Sequence, residues 1–482
     1  MKKKLLLIIV VVLLPIVSVS AFDVSIGGIC YDLQDGQAKV TYGNGYYTGN
    51  IVIPSYIVIL DDIYPVISIG DKAFFGCKDL KSVTLPNSNS FIAIGHDAFS
   101  YCESLTSIII PNNVKEIKSG AFSYSGLTSI TLPKSLETIG EKAFQNCGDL
   151  VDIHISDLAA WCNVTFGDLW SHPFNNKSDS NVLYENTTGN THLFLNNQEI
   201  KELTIPAGVN TINQYAFLGC DGMTSVIIPN TVTCIEKRAF DGCRGLESVT
   251  IPNSLKSIGS NAFNGCVSLN AIHISDLAAW CNISFEMKTS NPLTYGHRLF
   301  INGEELKAFD IPNSVTSIRN YAFYHSGCES VKIPNSVNTI GENSFYNNGS
   351  LATIIIGNGI EEIKNAAFQG CSGLANVYCS AEPISFTAAP FIAVEIKKAT
   401  LHVPDAYLNS YKTASVWQSF GTIVALQPGD PGYQGDTEPE AYAVLTDDGK
   451  TVTLYYDTQK SNRRGVVEIN NDYLGIAQTT DT

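Results

Sequence analysis

Cysteine, histidine and paired acids are the side chains through which this chain could do chemistry. Cys77, Cys102, Cys147, Cys220, Cys243, Cys266 and Cys371 each stand three residues after a phenylalanine. Ser125, Ser326 and Asn348 take that place after other phenylalanines. A position that accepts Cys, Ser and Asn calls for a small inward side chain able to bond the turn backbone, and a buried free thiol behaves as a small hydrophobe. A ladder of free thiols is the expectation, with disulfides between rungs the alternative that export would permit. The spacing argues against metal, because no Cys-x-x-Cys occurs and one cysteine per unit supplies no tetrahedral set. His154 and His273 each open a copy of His-Ile-Ser-Asp-Leu-Ala-Ala-Trp-Cys-Asn. They read as parts of one duplicated unit and not as a catalytic pair.

No His-Glu-x-x-His, Gly-x-Ser-x-Gly, phosphate-loop or EF-hand pattern is present. The glycine-rich stretch from Gly43 to Gly49 misses the dinucleotide spacing and reads as the turn of a hairpin. The acids are scattered, and no spacing singles out an acid and base. The sequence therefore assigns no catalytic residue, no metal site, no cofactor and no small-molecule substrate.

What must position these residues is a repeat. Phe74, Phe99, Phe122, Phe144, Phe217, Phe240, Phe263, Phe323, Phe345 and Phe368 recur mostly at 22 or 23 residues, with one spacing of 25 and two long gaps. The unit is clearest from Ile235 to Ile258. Leu246, Val249 and Ile251 follow Leu-x-x-Leu-x-Leu, and Ser248 and Thr250 alternate with them, as in a strand with one buried face. Pro252 ends the strand because it has no ladder donor. Leu255 and Ile258 turn the chain back. One unit cannot bury its own apolar face, but stacked neighbours share a core, and burying each Phe or Leu is worth roughly 1.5–3 kcal/mol.

These residues resemble the leucine-rich repeats of the BspA-like family of bacterial surface proteins. The pattern Ala-Phe-x-x-Cys-x-x-Leu-x-Ser-Ile-x-Ile-Pro carries the resemblance over about residues 65–378. It implies a β-rich α/β fold, a right-handed solenoid with a parallel sheet on one face and terminal caps. It also implies adhesion or recognition at a cell surface.

The two long gaps read as variant repeats, at about 145–217 and 264–323. In each, Ser156 or Asp157, or its copy, could cap a short helix burying Leu158 and Trp161. Strand pattern resumes at Leu203-Thr204-Ile205-Pro206 and Phe309-Asp310-Ile311-Pro312, for about twelve strands in all. The first variant is longer, and its Asn- and Ser-rich excess between Gly167 and Asn190 reads as a surface loop. Around the repeats the sequence suggests a leader over 1–21, a β cap over 22–64, a closing cap over 379–426, a linker over 427–440 and a short hairpin tail over 441–482.

Residues flanking the inward aliphatics should form the exposed sheet face. Ile109, Thr131, His154, Ile227, Thr250, His273, Lys332, Ile355 and Tyr378 are the candidate partner-binding residues, with Ile109, Ile227, Ile355 and Tyr378 expected to be exposed. Such a flat, low-charge face suits a large partner, a protein or glycan of the extracellular matrix or a cell surface.

At the amino terminus Lys2, Lys3 and Lys4 precede an apolar run, Leu5 to Leu14, and a Val19-x-Ala21 cleavage pattern. These are the parts of a secretory signal peptide, with a retained anchor as the alternative. The protein is thus expected to be secreted or displayed at the cell surface. The chain carries 30 basic and 46 acidic residues, a net charge of −16. That excludes a nucleic-acid partner, which demands concentrated Lys and Arg. Asn-x-Ser/Thr sequons occur at Asn163, Asn176, Asn186, Asn282 and Asn348. The reading is a binding protein without catalysis. A spacer solenoid presenting the tail is the alternative.

Overall fold

The computed structural model describes residues 23–43, 45–174, 191–385, 389–431 and 433, and the backbone of three strands beyond them. The leader, most of the Gly167–Asn190 excess, the sequons at Asn176 and Asn186, and most of the linker lie outside the described residues.

The repeats stack as a β-solenoid with two parallel ladders. The broader one takes the strands that carry Val-x-Ile, such as Ser225–Ile227, Ser248–Thr250 and Ala271–Ile274, in register Ile227↔Thr250↔His273. The second was not foreseen in the sequence. Where Ile258 was expected only to turn the chain back, it joins a row of two-residue strands, Cys234–Ile235, Ser257–Ile258 and Ser284–Phe285. The second residue, Ile235, Ile258 or Phe285, is buried in each rung while the one before it stays at least partly exposed, so two residues are enough to close the coil.

Between the ladders the repeat phenylalanines form a column. Phe74, Phe99, Phe122 and Phe144 lie nearly parallel at centroid spacings of 5.0, 5.3 and 5.5 Å. Phe217, Phe240 and Phe263 follow at 5.2 and 5.3 Å, and all of these rings are fully buried. The column runs on past the repeats, through Phe368 to Phe391 at 5.4 Å. In most rungs the residue three after the Phe ties consecutive rungs together. The thiols of Cys102, Cys147, Cys243, Cys266 and Cys371 donate to the phenylalanine carbonyl of the preceding rung, at 2.9–3.2 Å. Asn348 makes the same contact to Phe323 O at 2.8 Å. All of the cysteines are free. Burial pushes thiols up, Cys147 to about 11 and Cys328 to about 12, which keeps them protonated and unreactive. Only Cys234 is partly exposed. In the native protein a thiol reagent should therefore modify Cys234 first, and Cys234→Ser should remove the fast phase while unfolding releases the remainder. Rapid labelling of several thiols in the native state would contradict the ladder.

Both variant repeats place their helix where the sequence put it. Asp157, not Ser156, is the cap, accepting from Ala160 N–H at 2.9 Å, and Leu158–Cys162 buries Leu158, Trp161 and Cys162. Asp276 does the same for Leu277–Cys281. Trp161 Nε1 then donates to Ala216 O at 2.8 Å, and Trp280 Nε1 to Ala322 O at 2.9 Å, so each indole spans the long gap between phenylalanines.

The sheet face differs from a continuous run of about twelve strands. Each variant contains one more rung, His192–Leu195 or Leu299–Ile301, parallel to the strand before it. Each such rung then reverses into an antiparallel partner, Gln198–Glu199 or Glu304–Glu305. The turns Asn196-Asn197 and Asn302-Gly303 hold both central residues at positive φ, as a two-residue hairpin requires. From Ser107 onward these hairpins divide the face into three sheets, and Gly49–Val52 with Leu80–Thr84 forms a separate two-stranded sheet before them.

At the amino end, Val24–Ile26, Ile29–Gln34 and Gln37–Thr41 form an antiparallel set. From there Asp62–Ile69 enters the second ladder and Gly49–Val52 enters the first. The Gly43–Gly49 stretch therefore connects two sheets; it does not close a hairpin. At the carboxyl end, Thr400–Val403 and Thr422–Ala425 extend the face in parallel, over buried Tyr411 and Trp417. Beyond the linker, Ala441–Leu445 and Val452–Tyr456 pair as a hairpin, and Gly465–Val467 adds a third strand.

Candidate functional site

Ladder register brings the candidate residues into rows across the sheets. In the first sheet Ile109, Thr131 and His154 are consecutive and the row continues to Phe194 and, across the hairpin, to Glu199. In the second, Thr204, Ile227, Thr250 and His273 are consecutive and the row continues to Phe300 and, across the hairpin, to Glu305. The two rows repeat the order Ile-Thr-His-Phe. The third sheet differs, with Asp310, Lys332, Ile355, Tyr378 and His402 in line.

Exposure separates the candidates. Ile109 is 70% exposed and Ile227 50%. Ile355 and Tyr378, expected to be exposed, are half-buried. Tyr378 is covered by the ring of His402 at 4.3 Å, because the closing segment continues the sheet instead of ending it. Lys332 is exposed and lies 3.5 Å from Asp310 across the ladder. His154 stacks on Phe194 at 4.6 Å and His273 on Phe300 at 5.1 Å, so each histidine is half-buried against an aromatic face.

Sequence reasoning missed the phenylalanines and the ion pairs beside them. His192 lies 2.7 Å from Glu199, and in the second copy Arg298 lies 2.9 Å from Glu305. The hydrogen bonds from these partners hold both carboxyls below the usual carboxylate range. The Arg298 guanidinium also sits 4.9 Å from the Phe300 ring centre. The signal was present: His192-Leu-Phe-Leu-Asn-Asn-Gln-Glu-Ile-Lys201 matches Arg298-Leu-Phe-Ile-Asn-Gly-Glu-Glu-Leu-Lys307, and Asn302-Gly303 is a strong hairpin marker.

A groove of about 560 Å³ opens at the ends of the first repeat strands. Ser82, Thr84, Asn87, Ser107, Asn112, Thr131 and Ser156 supply its polar lining, with Ile109, Pro111 and Pro133 beside them. Ile109 and Thr131 are thus shared between the groove and the candidate face. Among the described residues no group of three or more His, Cys, Asp or Glu is placed to hold a metal ion, and no helix is long and apolar enough to cross a membrane. Of the sequons in the described residues, Asn163 and Asn282 are exposed, whereas Asn348 is fully buried and saturated by Phe323 O, Phe345 O, Ser326 Oγ and Gly327 N.

The family model described as BspA type leucine rich repeat region matches in 6 copies, over residues 55–168, 187–290 and 294–412. The chain belongs to the BspA-type leucine-rich-repeat family. Several solved structures are similar to this BspA-type protein. A leucine-rich repeat protein from Bacteroides ovatus is 20% identical, with 84% of this chain and 100% of that one covered and a TM-score of 0.49. A leucine rich cell surface protein from Faecalibacterium prausnitzii is 23% identical over 86% of this chain and 98% of that one, with a TM-score of 0.35. A leucine-rich repeat protein from Bacteroides capillosus is 31% identical over 28% of this chain and 98% of that one, with a TM-score of 0.25. No curated protein matches.

Proposed function

We propose that this BspA-type protein is exported, is displayed or released at the cell surface, and binds a macromolecular partner through its repeat sheet face without catalysing a reaction. The partner is a protein or glycan of the extracellular matrix or of a neighbouring cell. The observation that carries this reading is the pair of exposed isoleucines, Ile109 at 70% and Ile227 at 50%, at equivalent places in the repeated Ile-Thr-His-Phe rows. Large apolar side chains held outward on a flat, low-charge surface cost solubility, and a partner that covers them recovers roughly 25 cal/mol per Å² of apolar area. The half-buried His154–Phe194 and His273–Phe300 stacks add rigid aromatic edges beside them.

The test is capture of matrix proteins by the immobilised chain freed of residues 1–21. Ile109→Ser with Ile227→Ser is expected to lower capture by about tenfold, the equivalent of ~1.4 kcal/mol. Both side chains are exposed, so the fold should be unaffected. Capture that survives the double substitution unchanged would remove the sheet face as the site.

A further inference from the structure

In the amino-terminal cap, Tyr56–Ile59 and the first half of Asp62–Ile69 form a two-stranded hairpin. The strands pair antiparallel, as Tyr56↔Pro65, Ile57↔Tyr64, Val58↔Ile63 and Ile59↔Asp62. Residues opposite one another in such a pair, and residues two apart along a strand, share a side. Ile57, Ile59 and Tyr64 therefore lie on one side, and that side packs: Ile57 is buried and the other two rest against the core. Tyr56, Val58 and Ile63 lie on the other side, and each is more than half exposed.

The turn adds to this surface. Leu60 and Asp61 hold it at φ 50 and 74, and Leu60 is 85% exposed. A two-residue turn with both central φ positive favours Asn, Asp or Gly, and a left-handed backbone is costly for a bulky side chain. A leucine there burdens the fold twice, through strain and through exposure. Soluble proteins scatter exposed hydrophobics singly, whereas four stand together here. The face carries no charged side chain, and the hairpin's acids, Asp61 and Asp62, lie at its tip.

We propose that this hairpin face is a self-association surface, on which a second copy of the chain seats the same face about a twofold axis. The copy matches it in chemistry, apolar and uncharged surface against the same, and a contact of this symmetry needs no second patch. With the hairpins running in opposite directions, the acidic tips fall at opposite ends of the contact, so like charges do not meet in a chain of net charge −16. The same acids disfavour an anionic bilayer as the occupant. Tyr56, Val58, Leu60 and Ile63 of both copies cover on the order of 1,000 Å², about the least that a specific interface needs, so the dimer is reversible. Ile109 and Ile227 take no part in it. The dimer therefore displays two repeat faces, which raises the hold on any partner with repeated epitopes.

Sedimentation velocity of the chain freed of residues 1–21, from about 1 to 200 µM, tests this. The mass should pass from monomer to dimer across that range. Val58→Lys with Ile63→Lys should weaken the dimer by about tenfold or more, and so should Val58→Glu with Ile63→Glu. An equimolar mixture of these two variants should dimerise again, because opposite charges meet only if like faces meet. Leu60→Asn, which suits the turn better, should weaken the dimer without lowering Tm. Ile227→Lys should leave the mass unchanged. Far-UV circular dichroism of every variant should match the parent, since the replaced side chains are exposed. A parent that stays monomeric overturns the proposal. So does a dimer that survives both double substitutions, or a mixture of the two that remains monomeric. Flotation of a monomeric parent with phosphatidylcholine vesicles, abolished by Val58→Lys with Ile63→Lys, would also overturn it and give the face to lipid.

Discussion

Replacing Phe240 by Ala is expected to destabilise the solenoid by about 3–5 kcal/mol, read as a shift of the urea midpoint. The ring is fully buried and stacked between Phe217 at 5.2 Å and Phe263 at 5.3 Å. Its removal leaves a cavity that the flanking rungs cannot close, since both ladders fix their spacing near that of paired strands. Each rung contacts only its neighbours, so hydrogen exchange should rise first in the rungs of Phe217 and Phe263. Ile227→Ala, at an exposed position, should stay within about 0.5 kcal/mol. A Phe240→Ala cost as small as that control would mean the column does not support the fold.

Acidification should weaken the first variant repeat through His172, and His172→Asn should abolish that part of the pH dependence. His172 is fully buried against Trp161, Phe166 and Phe174, whose ring centres lie 5.0–5.8 Å away. Phe174 N–H donates to its Nδ1 at 3.3 Å. Burial lowers the pKa of the ring from 6.5 to about 3, opposed in part by the Ala216 carbonyl. The folded state therefore holds the neutral ring between about pH 3 and 6.5 while the unfolded chain takes up a proton. The stability it contributes is complete above pH 6.5 and is lost as pH falls through that window, about 3 kcal/mol by pH 4.5. In the second variant Asn291 occupies the corresponding place, donating to Tyr321 O at 2.7 Å and Ala322 O at 3.3 Å, and it does not titrate. Urea midpoints at pH 7 and pH 4.5 for the parent and His172→Asn give the contrast. Equal pH dependence in the two proteins would show that the ring is not held neutral in the core.

Much of the repeat could be read from the chain because its signals are local and recur. Phe240, Cys243, Leu246, Val249 and Ile251 each have one role per rung, and all are buried in the solenoid core. A capped short helix was legible for the same reason, but the sequence left Ser156 and Asp157 both open as the cap, and the structure decides for Asp157 and its copy Asp276. The second ladder was not, because two residues such as Ser257–Ile258 are too short to show an alternation. The added rungs at His192–Leu195 and Leu299–Ile301 were hidden by their variant context, although the Asn-Gly turn after the second marked them.

The binding surface divides in the same way. That Ile109 and Ile227 face outward follows from strand alternation alone. That Tyr378 is screened by His402, that His154 and His273 lie against Phe194 and Phe300, and that no ladder joins Leu80–Thr84 to Ser107–Ile109 follow from which strands become neighbours. By itself the sequence determined a coil of repeating rungs, its inward residues and its thiol positions, because each depends on residues a few places apart. Only the tertiary structure decided the division of the face into separate sheets, including the missing ladder between Leu80–Thr84 and Ser107–Ile109, and the aromatic stacks. Those depend on register between strands separated by twenty to forty residues, and on a turn two residues longer than its neighbours, whose effect is felt only where two rungs meet.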